Sequence, residues 1–221
     1  MILDSTSLMN TVDNVNEKLL FGEVITPEEG LATARWIASR QGEKGGYRGM
    51  FAPTSLDFEH GIHLFSGERL EYASARHILG EEAARAAWLL GRDDPTVRSA
   101  YDRATGWMHT VPDTHPNGTF CCGRCTPAFW RNFWIGEFEY KEAFVLKGLQ
   151  WLKDQRLGDG QWRRFPFFYT VYTLMDLDLE PAQAELKYAR PAMEQYVAKS
   201  RAGVFSLRKK LILEKALEMI K

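Results

Sequence analysis

A turn motif occurs three times in this 221-residue chain and constrains its fold more than any other feature. One copy runs from Gln41 to Tyr47 and reads glutamine, three residues, glycine, one residue, aromatic. A second runs from Gln155 to Trp162 with one more residue before its glycine. The third, Asn117-Gly118-Thr119-Phe120, keeps only the glycine and the ring. A tryptophan precedes each ring by about three helical turns: Trp36, Trp107 and Trp151.

The physical properties of these residue types predict a helix followed by a tight turn. Glycine tolerates the left-handed conformation that ends many helices, because it has no Cβ to clash. The aromatic ring two positions later can fold back and bury a large apolar face. The glutamine amide can bond carbonyl groups left unpaired at the helix end. Recurrence of the whole unit indicates an array of helical hairpins.

The second copy resembles a known repeat. The segment from Gln155 to Trp162, preceded by Gly148-Leu149-Gln150-Trp151-Leu152, is similar to the QW repeat of squalene and oxidosqualene cyclases. It also resembles the glycine-rich repeat of protein prenyltransferase β subunits. The resemblance covers roughly residues 28–178 and implies an α/α toroid, in which inner helices surround an apolar cavity that holds an isoprenoid.

The remaining signals also predict an all-α protein. Thr26-Pro27 and Asp94-Pro95 each place a capping residue before a proline at the first helical position. We expect one domain over residues 1–221, with an N-terminal segment at 1–25 and a closing amphipathic helix at 203–221. About four hairpins are visible, fewer than a closed toroid of this family uses, so the alternatives are a partial toroid, an open arc and one half of a dimer. Unsealed end repeats expose apolar surface, which favours self-association as a homodimer. The predicted helices are 28–41, 70–91, 95–111, 127–135, 140–156, 167–178, 181–200 and 205–219, with a shorter one at 55–65 and part of 8–20.

Charge and composition exclude several classes of protein. The formal net charge is −1, which disfavours nucleic-acid binding. No stretch is long and apolar enough for a transmembrane segment, and residues 1–18 lack the apolar core of a signal peptide. The three cysteines cannot form a disulfide framework, which suits a reducing cytoplasm.

The cysteines offer a candidate metal site. Cys122 and Cys125 are three residues apart, and this spacing lets two thiolates share one tetrahedral zinc ion. The chain has no second pair of this kind, so a complete site needs a distant ligand such as His60, His63, His109 or His115. The sequence therefore predicts no cofactor, with zinc held by Cys122, Cys125 and His60 as the open alternative. Without a metal, the cysteines are explained as small, soft residues that pack at a tight turn.

The resembled families supply two catalytic patterns that this chain does not reproduce. Zinc-dependent protein prenyltransferases carry Asp-x-Cys and a histidine at the starts of inner helices, where this chain has Arg124-Cys125-Thr126 and Tyr169. Cyclases protonate their substrate with Asp-x-Asp-Asp, and the nearest string here is Asp176-Leu177-Asp178-Leu179. The sequence thus identifies no catalytic residue and leaves open whether the protein is an enzyme.

The toroid arrangement would turn the helices that follow the motifs, 55–65, 127–135 and 167–178, toward the cavity. We expect aromatic side chains to line an apolar pocket and basic side chains to lie at its rim, because guanidinium groups bind a diphosphate well. An alternative role for the arginines is to complement helix C-terminal dipoles. The predicted pocket residues are Phe129, Trp130, Phe133 and Tyr169, and the predicted rim residues are Arg124, Arg131 and Arg164.

Two functions follow from these observations. The leading hypothesis is a prenyltransferase-like or terpene cyclase-like protein that binds an isoprenoid or another apolar small molecule. The alternative is a non-catalytic helical-repeat module that binds a peptide or a protein partner. The absence of both family catalytic patterns favours the module, whereas a cavity sealed from water would favour the enzyme.

Overall fold

The computed structural model describes residues 1–199 and 202–221, and their backbone is helical without a β-strand. The all-α prediction is therefore confirmed. The predicted helices agree with the observed ones to within a few residues, except that 95–111 is divided and 55–65 is shorter. The helices are α1 Leu8–Phe21, α2 Pro27–Ser39, α3 Ser55–His60, α4 Tyr72–Gly91, α5 Pro95–Thr105, a 3-10 helix Gly106–Thr110, α6 Val111–Thr114, α7 Thr126–Ile135, α8 Lys141–Asp154, α9 Phe167–Asp176, α10 Glu180–Val197 and α11 Val204–Met219.

Two of the helix starts have the caps that the sequence predicts. The Thr26 hydroxyl accepts a hydrogen bond from the Glu29 backbone N–H, and Pro27 occupies the first helical position of α2. The Asp94 carboxylate accepts bonds from two backbone N–H groups at the start of α5. Such caps pair donors that would otherwise have no partner in the first turn.

The chain divides into two compact units, and the first comprises Met1–Leu64, Arg69–Thr110 and Ile135–Glu137. Its central helix is α4, which packs against α1, α2 and α5. The buried Asp57 carboxylate joins two helix starts in this unit. It accepts backbone N–H groups of Leu8 and Met9 at the start of α1, and it completes a capping box with Thr54 at the start of α3.

The second unit comprises Phe65–Glu68, Val111–Trp134 and Phe138–Lys221. Here α10 packs against α8, α9 and α11, and α11 also contacts α9. The predicted terminal helix thus packs on the preceding helical pair. The single-domain organisation and the toroid arrangement stay predictions.

In the second motif copy, the chain turns back on itself directly after α8. The Arg163 N–H donates to the Gln155 carbonyl over 2.8 Å, and Arg156 forms an isolated antiparallel bridge with Trp162. Gly158 and Gly160 have φ values of 88° and 85°, which side-chain-bearing residues adopt at a cost. Two left-handed glycines thus form the reversal that the sequence predicts, but the cap residue of the helix itself is Gln155, whose φ of −93° is not left-handed.

The first copy has the same pattern of backbone pairing but a longer loop. The Ala52 N–H donates to the Arg40 carbonyl over 2.9 Å, and Gln41 forms the bridge with Phe51. The ring that corresponds to Trp162 in this pairing is thus the fully buried Phe51 rather than Tyr47. The Tyr47 ring instead meets the rings of His77 and Trp107, with centroid distances of 5.0 and 6.1 Å. The spacing of the motif alone therefore selects Tyr47 as the aromatic residue of this copy, whereas the backbone pairing selects Phe51.

Among the described residues, no helix combines the length and the apolar character needed to cross a membrane.

Candidate thiol and metal centre

The third motif copy fixes the start of the candidate site in unit 2. Gly118 has a φ of 77° and lies so close to α8 that an added Cβ would come within 2.2 Å of the Gly148 nitrogen. The Trp130 indole N–H donates to the Gly118 carbonyl over 2.7 Å. Gly118 and Gly148 thus allow backbone contact between this turn and α8, and the hydrogen bond from Trp130 joins the turn to α7.

The thiol loop, residues 121–125, follows this turn and is folded onto the start of α7 by one hydroxyl. The fully buried Thr126 Oγ1 accepts the Phe120 N–H and donates to the carbonyls of Phe120 and Cys122, at 3.0, 3.0 and 2.8 Å. A single hydroxyl hydrogen cannot serve both acceptors fully, so the two bonds share it. These contacts join the start of the loop to Thr126, the residue that follows its last cysteine, and so close the loop into a compact turn.

A second contact holds the middle of the thiol loop against the turn after Trp162. A Cβ added to Gly123 would lie 2.5 Å from the Arg164 carbonyl oxygen, so residue 123 has no room for a side chain. Arg164 itself has a left-handed φ of 67°. The thiol loop and the segment that follows the second motif copy therefore meet at Gly123.

This framework brings three sulfur atoms together. The sulfurs of Cys121, Cys122 and Cys125 all lie within 4.8 Å of one another. The distance between the Cys122 and Cys125 sulfurs is 3.6 Å. Cys125 is buried, whereas Cys121 and Cys122 are exposed. The cluster therefore has one covered thiol and two that solvent reaches.

The loop gives the three thiols different acidities. Burial raises the pKa of the Cys122 thiol, but the backbone N–H groups of Cys125 and Arg124 and the neighbouring thiols outweigh burial and bring its pKa below the ordinary value. Burial raises the pKa of Cys125 well above its ordinary range. Burial, together with the charge of Cys122, also raises the pKa of Cys121. Of the three, Cys122 is thus the thiol that ionises most readily.

The sulfur spacing fits a single thiophilic metal ion. Four ligands at a Zn–S distance of about 2.3 Å in a tetrahedron place neighbouring sulfurs about 3.8 Å apart. The 3.6 Å separation of Cys122 and Cys125 is close to this value, and the 4.8 Å limit on all three pairs requires only small side-chain rotations. The three cysteines can accordingly hold a metal ion.

The sequence predicts two of these three candidate ligands and misses the third. Cys122 and Cys125 lie together as their spacing suggests, but the sulfur that joins them belongs to Cys121. Consecutive side chains usually diverge, and Cys121 joins the cluster in a left-handed backbone conformation with a φ of 57°. No sequence signal marks that conformation. His60 ends α3 in unit 1 and is exposed, and its role as a ligand stays a prediction.

The four predicted pocket residues are buried in unit 2. Phe129 stacks on Phe133 with ring centroids 5.0 Å apart, and the ring centroids of Trp130 and Phe165 are 6.2 Å apart. Tyr169, like these rings, is fully covered. The structure thus places all four in the core, and their contact with a ligand stays a prediction. A surface groove of about 450 Å³ between α8 and α10 is lined by other residues.

The three predicted rim arginines have different environments. Arg131 is fully buried, donates to Asp176 over 2.7 Å and lies 4.0 Å above the Tyr172 ring. Arg124 and Arg164 are exposed. They lie on two segments that meet at Gly123, and their place at the rim of a cavity stays a prediction.

Comparison of the chain with protein-family models, with curated proteins and with solved structures finds no match.

Proposed function

We propose that this protein binds one zinc ion through the thiolates of Cys121, Cys122 and Cys125. The observation that carries the proposal is the convergence of three sulfurs within 4.8 Å on a loop fixed by Thr126 and Gly123. Thiolates are strong zinc ligands, and three protein ligands leave one position for water or a substrate atom. A reducing compartment such as the cytoplasm follows from this proposal, because the thiols must stay reduced.

The experiment is a zinc titration of chelator-treated protein against a chromophoric competitor, with native mass spectrometry as the count of bound ions. We expect one zinc per chain in the wild type. Loss of groups that only orient zinc ligands weakens binding about 10- to 100-fold, so loss of a ligand in Cys122→Ser or Cys125→Ser should weaken it by at least about 100-fold. Cobalt substitution adds a second measurement, since a sulfur-to-cobalt absorption band should shrink as each cysteine is removed.

Two control variants separate this site from the alternatives. Arg124→Ala changes the same loop without removing a thiol and should leave zinc affinity within a few-fold of wild type. His60→Ala tests the histidine that the sequence offers as a ligand, and we expect it to have no effect. Stoichiometric zinc in the Cys122→Ser/Cys125→Ser double variant would refute the proposal. The native spectra also report whether the chain is a homodimer.

A second proposal is that the protein is a prenyltransferase-like or terpene cyclase-like isoprenoid-binding protein. Its support is the contact of Gly123 with the Arg164 backbone, which brings together the two segments that carry the exposed Arg124 and Arg164 in unit 2. Guanidinium groups from two segments suit a diphosphate, whose oxygens accept charge-assisted hydrogen bonds. A fluorescent prenyl diphosphate tests this proposal. Absence of binding would favour the peptide- or protein-binding module.

A further inference from the structure

The thiol loop pairs an exposed sulfur with a covered one. Cys122 is exposed, whereas Cys125 keeps only 4% of its surface accessible. Their sulfurs are 3.6 Å apart, and a disulfide bond of about 2.05 Å requires them to approach by only about 1.5 Å. The two sulfurs are therefore in direct contact while both remain unbonded.

The exposed sulfur and the covered sulfur are suited to different steps. A molecule from solution can reach the exposed sulfur of Cys122. The covered sulfur of Cys125 can reach only its neighbours, among them the sulfur of Cys122. We infer that the metal-free protein exchanges thiols with an organic disulfide, with Cys122 as the attacking residue and Cys125 as the resolving residue. This activity goes beyond zinc binding and uses two of the same sulfurs when no ion holds them.

The exchange balances in two steps. The Cys122 thiolate, whose proton has passed to solvent, attacks one sulfur of the substrate disulfide. The substrate S–S bond breaks, and one thiolate leaves and takes a proton from water. Cys125 then attacks the Cys122 sulfur and gives up its proton, the mixed disulfide between Cys122 and the substrate breaks, and the Cys122–Cys125 bond forms. The second substrate sulfur leaves and takes up that proton, so it departs as a thiol. The substrate gains two electrons, the protein loses two, and an external dithiol restores the protein by the reverse reactions.

Cys121 is the competing resolving residue, and backbone geometry argues against it. Disulfide-bonded residues usually have Cα atoms about 4.4–6.8 Å apart, whereas consecutive Cα atoms across a trans peptide are about 3.8 Å apart. A Cys121–Cys122 disulfide would therefore strain the peptide between them. Cys125 is three residues away from Cys122 and escapes this constraint.

The experiment uses full-length protein in a chelator, with the aryl disulfide dithiobis(nitrobenzoate) as the substrate. The reference is the Cys121→Ser variant, because a free Cys121 would react independently. This protein should release two equivalents of aryl thiolate and lose the mass of two hydrogen atoms without retaining an aryl group. Addition of a dithiol reductant should restore the original mass.

Two double variants test the assigned roles. Cys121→Ser/Cys125→Ser should release one equivalent and keep the aryl group on Cys122. Cys121→Ser/Cys122→Ser should react at least about tenfold more slowly, because its remaining thiol is buried. Circular dichroism confirms that each variant is folded. Retention of aryl groups on both cysteines of the Cys121→Ser reference, or fast reaction without Cys122, would overturn the inference. The chelator makes either result independent of zinc binding.

Discussion

Replacement of Trp162 by alanine tests whether the ring of the motif supports the second unit. The side chain is 3% exposed, and its indole N–H donates to the Glu185 carboxylate over 2.8 Å. Its ring also contacts Phe167 and Tyr188, with centroids 6.1 and 5.9 Å away. Removal of a buried tryptophan usually costs about 3–5 kcal/mol. We expect Trp162→Ala to lie in this range, because Glu185 keeps its bidentate ion pair with Arg156 and is not left unpaired.

A second substitution separates the ring from the hydrogen bond. Trp162→Phe keeps an aromatic face but removes the N–H that bonds a carboxylate. Hydrogen bonds to charged groups contribute about 1.5–3 kcal/mol, so this variant should lose roughly half as much stability as the alanine variant. Leu157→Ala is the matched control, because Leu157 lies in the same turn but is 50% exposed. We expect its free energy of unfolding to stay within about 0.5 kcal/mol of wild type.

Urea unfolding followed by far-UV circular dichroism measures these differences, provided that tryptophan fluorescence gives the same midpoint. The slope of free energy against urea concentration should be the same for all variants. A Trp162→Ala protein within about 1 kcal/mol of wild type would refute the role of the ring. Equal losses in Trp162→Ala and Leu157→Ala would show that the turn responds to any substitution.

Two further predictions concern the third motif copy and the proposed ligand. Gly148→Ala should destabilise the protein by about 1–3 kcal/mol in the same urea assay, because the new Cβ would come within 2.3 Å of the Gly118 carbonyl oxygen. This loss should exceed the gain of about 1 kcal/mol that alanine brings to a helix. A variant more stable than wild type would contradict the contact. Titration with a fluorescent prenyl diphosphate should give a weaker affinity by about 1.5–3 kcal/mol for Arg164→Ala or Tyr169→Phe, the loss expected for one charge-assisted contact. Unchanged affinity in both variants would remove support for the isoprenoid proposal.

Much of the helical framework could be predicted because its signals are local. Thr26 and Asp94 cap helices through bonds to residues two or three positions later, and the following prolines suit the first helical position. Such contacts depend on neighbouring residues alone. The spacing of Cys122 and Cys125 is equally local, and the structure places their sulfurs together.

Features that depend on distant contacts could not be predicted. The sequence assigns Tyr47 to the motif of the first copy, but the backbone pairing of Gln41 selects Phe51. The longer loop contains both rings, and burial in the finished unit distinguishes them: Phe51 is fully covered and Tyr47 only partly. Arg131 is similar, because its partner Asp176 lies on another helix and sequence spacing did not indicate the pair.

The conformation of Cys121 supports the proposal that the thiol loop binds a metal ion. A left-handed φ costs a residue with a side chain about 1–2 kcal/mol, and glycine avoids most of that cost. The Cys121 side chain is exposed, so it contributes little burial in return. Glycine occupies the neighbouring position 123, where the Arg164 backbone leaves no room for a Cβ. A turn built for the fold alone would favour glycine at position 121 as well, whereas a three-sulfur centre requires a cysteine there.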